Sequence, residues 1–181
     1  MTRVLLIAPL MIFVILGAYF AAGLTRDPSR IPSVLIDKPL PAFDLPALEG
    51  YGNGFSTRDI EGRVALINVF GSWCAGCKIE HPLLMKIAAS GEALIVGVDW
   101  KDPPGAGERW LEENGNPYAL VGADREGRTA IDFGVTGAPE TFVVDKKGRI
   151  RYKHVGIIDE RIWLERLRPL VIMLEQEDGD A

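Results

Sequence analysis

The sequence predicts an α/β domain, a central mixed β-sheet flanked by helices, preceded by a single apolar helix. Three observations lead there. Val4 to Leu24 carries no charge and is long enough to cross a bilayer. Two apolar strand patterns, Val64 to Phe70 and Ala93 to Val98, enclose a helical pattern from Cys74 to Ala89 at βαβ spacing. Two more strand patterns, Thr141 to Asp145 and Ile150 to Val155, flank KKG as a hairpin and lead into a last amphipathic helix.

The 181 residues suffice for one soluble domain with a real core and one anchor. The expected division is an N-terminal membrane anchor over 1–26, a tether over 27–41, the folded domain over 42–176 and a polar tail over 177–181. The net charge of -5, with basic residues gathered only at Lys146, Lys147, Arg149, Arg151 and Lys153, argues against a nucleic-acid partner. That basic stretch alternates with apolar residues and reads as the solvent face of a hairpin.

In chain order, Val4 to Leu24 as a helix at 1.5 Å per residue spans roughly 30 Å, the thickness of a hydrocarbon core. It is a transmembrane helix or a signal peptide. It is longer than the usual apolar stretch of a cleaved signal, and the small-residue site at Ala21 and Gly23 is poor, so an uncleaved anchor is expected. Pro9 near its start is tolerable in a membrane helix. Pro28, Pro32, Pro39 and Pro41 then mark an extended tether. FDLPALEG reads as a short strand ending at Gly50, and YGNGF as a turn before a helical start capped by Ser56 or Thr57. Beyond the βαβ unit, Glu108 to Asn114 is a short helix closed by Gly115, Tyr118 to Val121 a strand, and Arg128 to Phe133 another short helix. After the hairpin, Asp159 caps the last helix, whose buried stripe is Ile162, Leu164, Leu167, Val171 and Leu174. A βαβ unit followed by a ββα unit is the thioredoxin arrangement.

The two cysteines of the chain both lie in WCAGC, which excludes a structural disulfide framework. The motif sits between a buried strand and a helix, so Cys74 falls at the helix N-terminus and Cys77 one turn further in. There the unpaired N–H groups and the positive end of the helix dipole favour an anion, which lowers the thiol pKa of Cys74. Cys77, more buried, is expected to be the resolving thiol. A zinc site would have to draw on Cys74, Cys77, His81 and His154, without a second CxxC. Covalent haem attachment needs His directly after the second cysteine, where Lys78 stands. No bound cofactor is expected beyond the redox-active Cys74–Cys77 pair. Pro82 removes a bond to the Lys78 carbonyl and predicts a kink in the active-site helix. GAPETF places Ala138 and Pro139 before a strand, and a cis bond there would expose backbone groups for pairing with an extended substrate.

WCxxC followed by Pro82, with GVTGAPETFVVD downstream, resembles the CcmG/DsbE thiol:disulfide oxidoreductases of cytochrome c maturation. The likeness extends to GNPYAL and IRYKHVG. It implies an anchored reductase on the periplasmic side of the inner membrane. Its electrons would come from a DsbD- or CcdA-type transmembrane donor, and it would reduce a disulfide of apocytochrome c or of an assembly partner. Carried onto this sequence, Cys74 is the attacking thiol, Cys77 the resolving thiol and Pro139 the cis-proline beside Ala138. Trp73 flanks the pair, and Glu80 and Glu140 are acidic groups near it. Thioredoxin has a buried aspartate where this chain has Asn68, which cannot take a proton, so Glu80 or Glu140 is the candidate base. Two other functions are consistent with the motif. One is a general periplasmic disulfide oxidant or isomerase, although Ala93 to Phe142 is too short for the helical insertion of DsbA-type oxidants. The other is a tethered apocytochrome-binding module without enzymatic activity.

Overall fold

The computed structural model describes residues 2–24 and 34–177. Two compact units divide the chain at Ile31 and Pro32. The first holds α1 (Thr2–Leu24), a helix of 23 residues with Pro9 inside it. Its apolar side chains from Leu10 to Leu16, with Tyr19 and Phe20, are exposed. Side chains are described in α1 for Pro9 to Ala21 and Gly23, less than a bilayer span; among the described residues no helix is long and apolar enough to cross a membrane. Part of the expected tether and most of the expected tail, residues 27–33 and 178–181, lie outside the described residues.

In the second unit, β1 (Asp44–Leu45) and β2 (Phe55–Ser56) pair as a small antiparallel hairpin. The strand expected through Gly50 is this short because Pro46 has no N–H to continue a ladder. Ser56 caps the single turn Thr57–Ile60, its backbone and hydroxyl both donating to Asp59. The main elements follow: β3 (Ala65–Phe70), α2 (Ala75–Ser90), β4 (Leu94–Trp100), α3 (Ala106–Asn114), β5 (Leu120–Asp124), α4 (Arg128–Asp132), β6 (Glu140–Val144) and β7 (Ile150–Val155). The sheet order is β5-β4-β3-β6-β7, with β3, β4 and β5 parallel and β6 and β7 antiparallel to their neighbours. This is the mixed sheet of the thioredoxin fold.

Strand alternation divides the core into two layers. Leu66, Phe70, Ile95, Val121 and Val143 face one layer with Leu84 and Ile87 of α2. Ala65, Ile67, Val69, Val96, Val98, Phe142 and Val144 face the other, with Phe55 and Phe133. β3 is buried along its whole length, as its unbroken apolar pattern requires of a central strand. Each large side chain here contributes about 1.5–3 kcal/mol by leaving water. α2 continues through Pro82, whose ring lies on the exposed side, and ends at Gly91, whose φ of 69° is the left-handed conformation that stops a helix.

Three expectations are corrected. Residues 34–41 are not a free tether: Asp37 and Leu40 donate backbone bonds to the Ile150 and Gly148 carbonyls, Ile150 donates to Lys38, and Leu40 is buried. The apolar Leu35, Ile36 and Leu40 pull this segment onto the second core layer. Leu164 does not belong to the buried stripe; it is exposed, and Trp163 is buried in its place. Trp163 stands four residues before Leu167, on the same stripe, and a π-turn, Trp163–Leu167, lies between α5 (Glu160–Ile162) and α6 (Arg168–Gln176), with Arg168 donating to the Trp163 carbonyl. Its wider turn, just before Pro169, rotates the side chains relative to a regular helix. Lys153, expected on the solvent face, is buried.

Asp159 caps α5 as expected, its Oδ1 accepting from Ile162 N–H at 2.7 Å. Asp159→Ala is therefore expected to destabilise the domain by about 1 kcal/mol in chemical denaturation. An unchanged midpoint would show that the cap contributes nothing.

Candidate active site

β3 ends at Phe70, and Gly71, Ser72 and Trp73 turn the chain into α2. Cys74 is the N-cap residue, with φ -83° and ψ 108°, and its Sγ accepts from the Cys77 N–H at 3.0 Å. Cys74 and Cys77 form a disulfide, with Cα atoms 5.3 Å apart. The expected difference in burial is not present in this state, since Cys74 is 3% and Cys77 2% exposed. What separates them is position: only Cys74 stands at the cap, where the Cys77 N–H points at its sulfur.

The approach loop is fixed from both sides. Ser72 donates its N–H and hydroxyl to the two oxygens of Asp102, at 2.7 and 2.9 Å. Trp73 is half exposed and donates Nε1 to the Trp100 carbonyl at 3.2 Å. The Ala138–Pro139 bond is cis, as expected. Pro139 lies against the first turn of α2: a Cβ added at Gly76 would come within 2.9 Å of Pro139 Cδ and 3.3 Å of Ile157 Cγ1. Glycine at position 76 thus permits the close approach of the proline loop to the cysteine pair. Trp73, Ile79 and Ile157 leave exposed apolar surface in the segments that carry the pair and its neighbours.

Glu80 and Glu140 are both buried, neither being a solvated surface acid. Glu80, one turn beyond Cys77 on α2, accepts from Asn68 Nδ2 and from Ile158 N–H, both at 2.9 Å. Asn68 also donates to Thr141 Oγ1 at 3.0 Å and accepts from the Tyr118 hydroxyl at 2.8 Å. Burial pushes the Glu80 carboxyl up to about 7, against the two bonds that favour its charged form. Burial also holds the Tyr118 phenol well above its ordinary range.

Glu140 is placed differently. Thr141 points to Asn68, so Glu140, its strand neighbour, projects from the opposite face of the sheet. There it is paired with Lys153 at 2.8 Å. Glu140, expected as an acidic group near the pair and a candidate base, instead faces away from Asn68 and is ion-paired with Lys153.

The redoxin family model matches residues 36–165. The chain belongs to the redoxin family. Within it, the chain is 45% identical to the thiol:disulfide interchange protein DsbE of Pseudomonas aeruginosa over 98% of each chain. It is 41% identical to DsbE of Escherichia coli, covering 94% of this chain and 95% of that one. A secreted thiol-disulfide isomerase of Corynebacterium glutamicum shares the fold, with a TM-score of 0.66 at 24% identity over 81% of this chain and 96% of that one. This redoxin is a DsbE-type thiol:disulfide oxidoreductase.

Several residues of its site are not evident from motif reading. Tyr118 and Thr141 complete the polar network under the helix, and the signal for such a network is Asn68 itself, a single polar residue within VALINVF. Asp99, at the end of the apolar run LIVGVDW, is fully buried and its carboxyl is pushed up to about 8 by burial and by the neighbouring Asp102. His81 and His154 each have local carbonyl contacts, to Asn114 and Gly115 and to Ile157. Among the described residues no group of three or more His, Cys, Asp or Glu side chains is arranged to hold a metal.

Proposed function

We propose that this oxidoreductase is a reductant of disulfides in apocytochrome c, or in a cytochrome c assembly partner. It works at the periplasmic side of the inner membrane, held there by α1. The reading is carried by the full-length match to DsbE proteins, which includes the apolar N-terminal segment. The uncharged sequence from Val4 to Leu24 and the exposed apolar side chains of Leu10 to Leu16, Tyr19 and Phe20 support the anchor.

In the reaction, the Cys74 thiolate attacks one sulfur of the substrate disulfide, forming a mixed disulfide and releasing the other substrate sulfur as a thiolate that takes a proton. The Cys77 thiol loses a proton, attacks Cys74 Sγ, and frees the second substrate thiol. The substrate gains two electrons and two protons overall, and the protein is left with the Cys74–Cys77 disulfide. The pair is the redox centre, and no bound cofactor is required. Pro139 and Ala138 offer the backbone against which an extended substrate segment lies, and Trp73 borders it. Glu80 carries the proton that Cys77 gives up. Since disulfides persist in that compartment, the pair needs a donor, which a DsbD- or CcdA-type membrane protein supplies to a domain tethered at the same surface.

Alkylation trapping of Cys74 and Cys77 in intact cells tests the direction. The pair is expected to be mostly reduced, and cells lacking the protein are expected to be depleted in covalently haemylated cytochromes and partly restored by an added small thiol. A pair held mostly oxidised would overturn the reductant reading in favour of an oxidant. Retained function in a Cys74 and Cys77 double alanine variant would favour the binding module.

A further inference from the structure

The segment from Gly134 to Pro139 joins α4 to β6 and presents Pro139 to the cysteine pair. Much of it is open to solvent: Gly134 and Thr136 are exposed, and Gly137 and Ala138 only half-buried. What fixes it is a charged pair beneath it. Glu140 Oε1 accepts from Thr136 N–H at 2.9 Å, from the Thr136 hydroxyl at 2.5 Å and from Gly137 N–H at 3.3 Å. Its other oxygen meets Lys153 Nζ at 2.8 Å, and the same ammonium donates to the Gly134 carbonyl at 2.7 Å. Lys153 thus contacts the residue that opens the loop and the residue that closes it. Its Nζ also lies 5.3 Å from the centroid of the Phe142 ring. The side chains of Lys153 and Glu140 are 4% and 0% exposed, so neither charge is placed there for solubility. A buried ion pair is a costly way to fill a core, and fixing one geometry among several is a role that such pairs serve in some proteins.

We propose that Lys153 is a positioning residue for substrate disulfides, setting the loop from Gly134 to Pro139 by bridging its two ends through the Gly134 carbonyl and Glu140. The inference rests on the proposed role of Ala138 and Pro139 as the platform for an extended substrate. Small disulfides need only Cys74, whereas a peptide disulfide also needs the platform in register. Removing the bridge therefore lowers the ratio of the two rates, read on variants whose folded state is verified by circular dichroism, since unfolded chains also react with a small disulfide.

The test uses the reduced full-length protein and two oxidants, a disulfide-closed CxxCH peptide and hydroxyethyl disulfide. Lys153→Met is expected to lower the ratio of peptide to small-disulfide rate constants by about tenfold, the size of effect that a small misplacement of a positioning group produces. The double variant Glu140→Gln with Lys153→Met leaves no unpaired buried charge, and it too is expected to show the lowered ratio, because the bridge to Gly134 is still missing. A wild-type ratio in the double variant would mean that the pair serves stability only, and would overturn the inference. Pro139→Thr is measured beside them. If it leaves the ratio unchanged, the platform reading itself fails; if it lowers the ratio and Lys153→Met does not, only the role of Lys153 fails.

Discussion

Cys74→Ala is expected to abolish disulfide reduction, a loss of roughly three orders of magnitude or more, because the covalent step has no other nucleophile to use. Cys77 does not replace it. It lies inside the first turn of α2, where its N–H is given to Cys74 Sγ and its own sulfur lacks the capping donors. Cys77→Ala is expected to behave differently: attack on the substrate proceeds, but the mixed disulfide cannot be resolved and accumulates. A gel shift that disappears on reduction reads this directly. The assignment of roles is reversed if the trapped species forms with Cys74→Ala and not with Cys77→Ala. In the reduced protein, alkylation at graded pH should modify Cys74 at lower pH than Cys77, since the helix N-terminus stabilises only the first thiolate.

Local patterns made the order of elements legible in the sequence. The unbroken apolar runs of β3 and β4, the cysteine at a strand-to-helix junction and the KKG hairpin each depend on neighbouring residues, and each is present in the fold. The cis bond at Ala138–Pro139 was legible from the GAPETF context. What escaped depends on contacts between distant positions. Lys153 sits in IRYKHV, where alternation alone suggests a solvent face, but β7 pairs with β6 through a register shift at Val143 and Val144 and Lys153 turns toward Glu140. The network of Asn68, Glu80, Tyr118 and Thr141 joins two strands, a helix and a loop, and no periodicity within one element announces it. Prolines at 39 and 41 read as a tether, whereas the apolar Leu35, Ile36 and Leu40 between and before them decided the outcome by packing. The stripe of the last helix was legible in part: Trp163 stands four residues before Leu167, at the same spacing that relates Leu167 to Val171, and it is buried where Leu164 is exposed.

Glu80→Gln is expected to change how stability depends on pH. In the folded protein the Glu80 carboxyl titrates at about 7, against an ordinary 4.5, because burial penalises its charge. A raised carboxyl pKa means that the folded state binds the proton more tightly than the unfolded chain does. The associated stability is fully present below the unfolded pKa and is lost as pH rises through the folded one. For the oxidised protein, where neither cysteine titrates, moving from pH 4.5 to above 7 should cost about 3 kcal/mol at this one group. The glutamine variant has no proton to lose and lacks that slope. At pH 5 the protonated Glu80 still turns an oxygen to each of Asn68 and Ile158, whereas the amide sets an NH2 group, which cannot accept, against one of these donors, so the variant begins at a disadvantage of about 1 kcal/mol. Above pH 7 the order inverts, with the variant more stable by roughly 2 kcal/mol, the difference of those two contributions. Asp99, also raised, titrates in both proteins and cancels in the comparison. Urea denaturation of both proteins at pH 5, 6, 7 and 8 measures this difference, and a difference independent of pH would mean that Glu80 keeps its charge throughout. The same titration bears on turnover. A carboxyl poised near neutrality one turn from Cys77 can accept a proton at physiological pH, so Glu80→Gln should also slow resolution of the mixed disulfide and leave its formation by Cys74 intact.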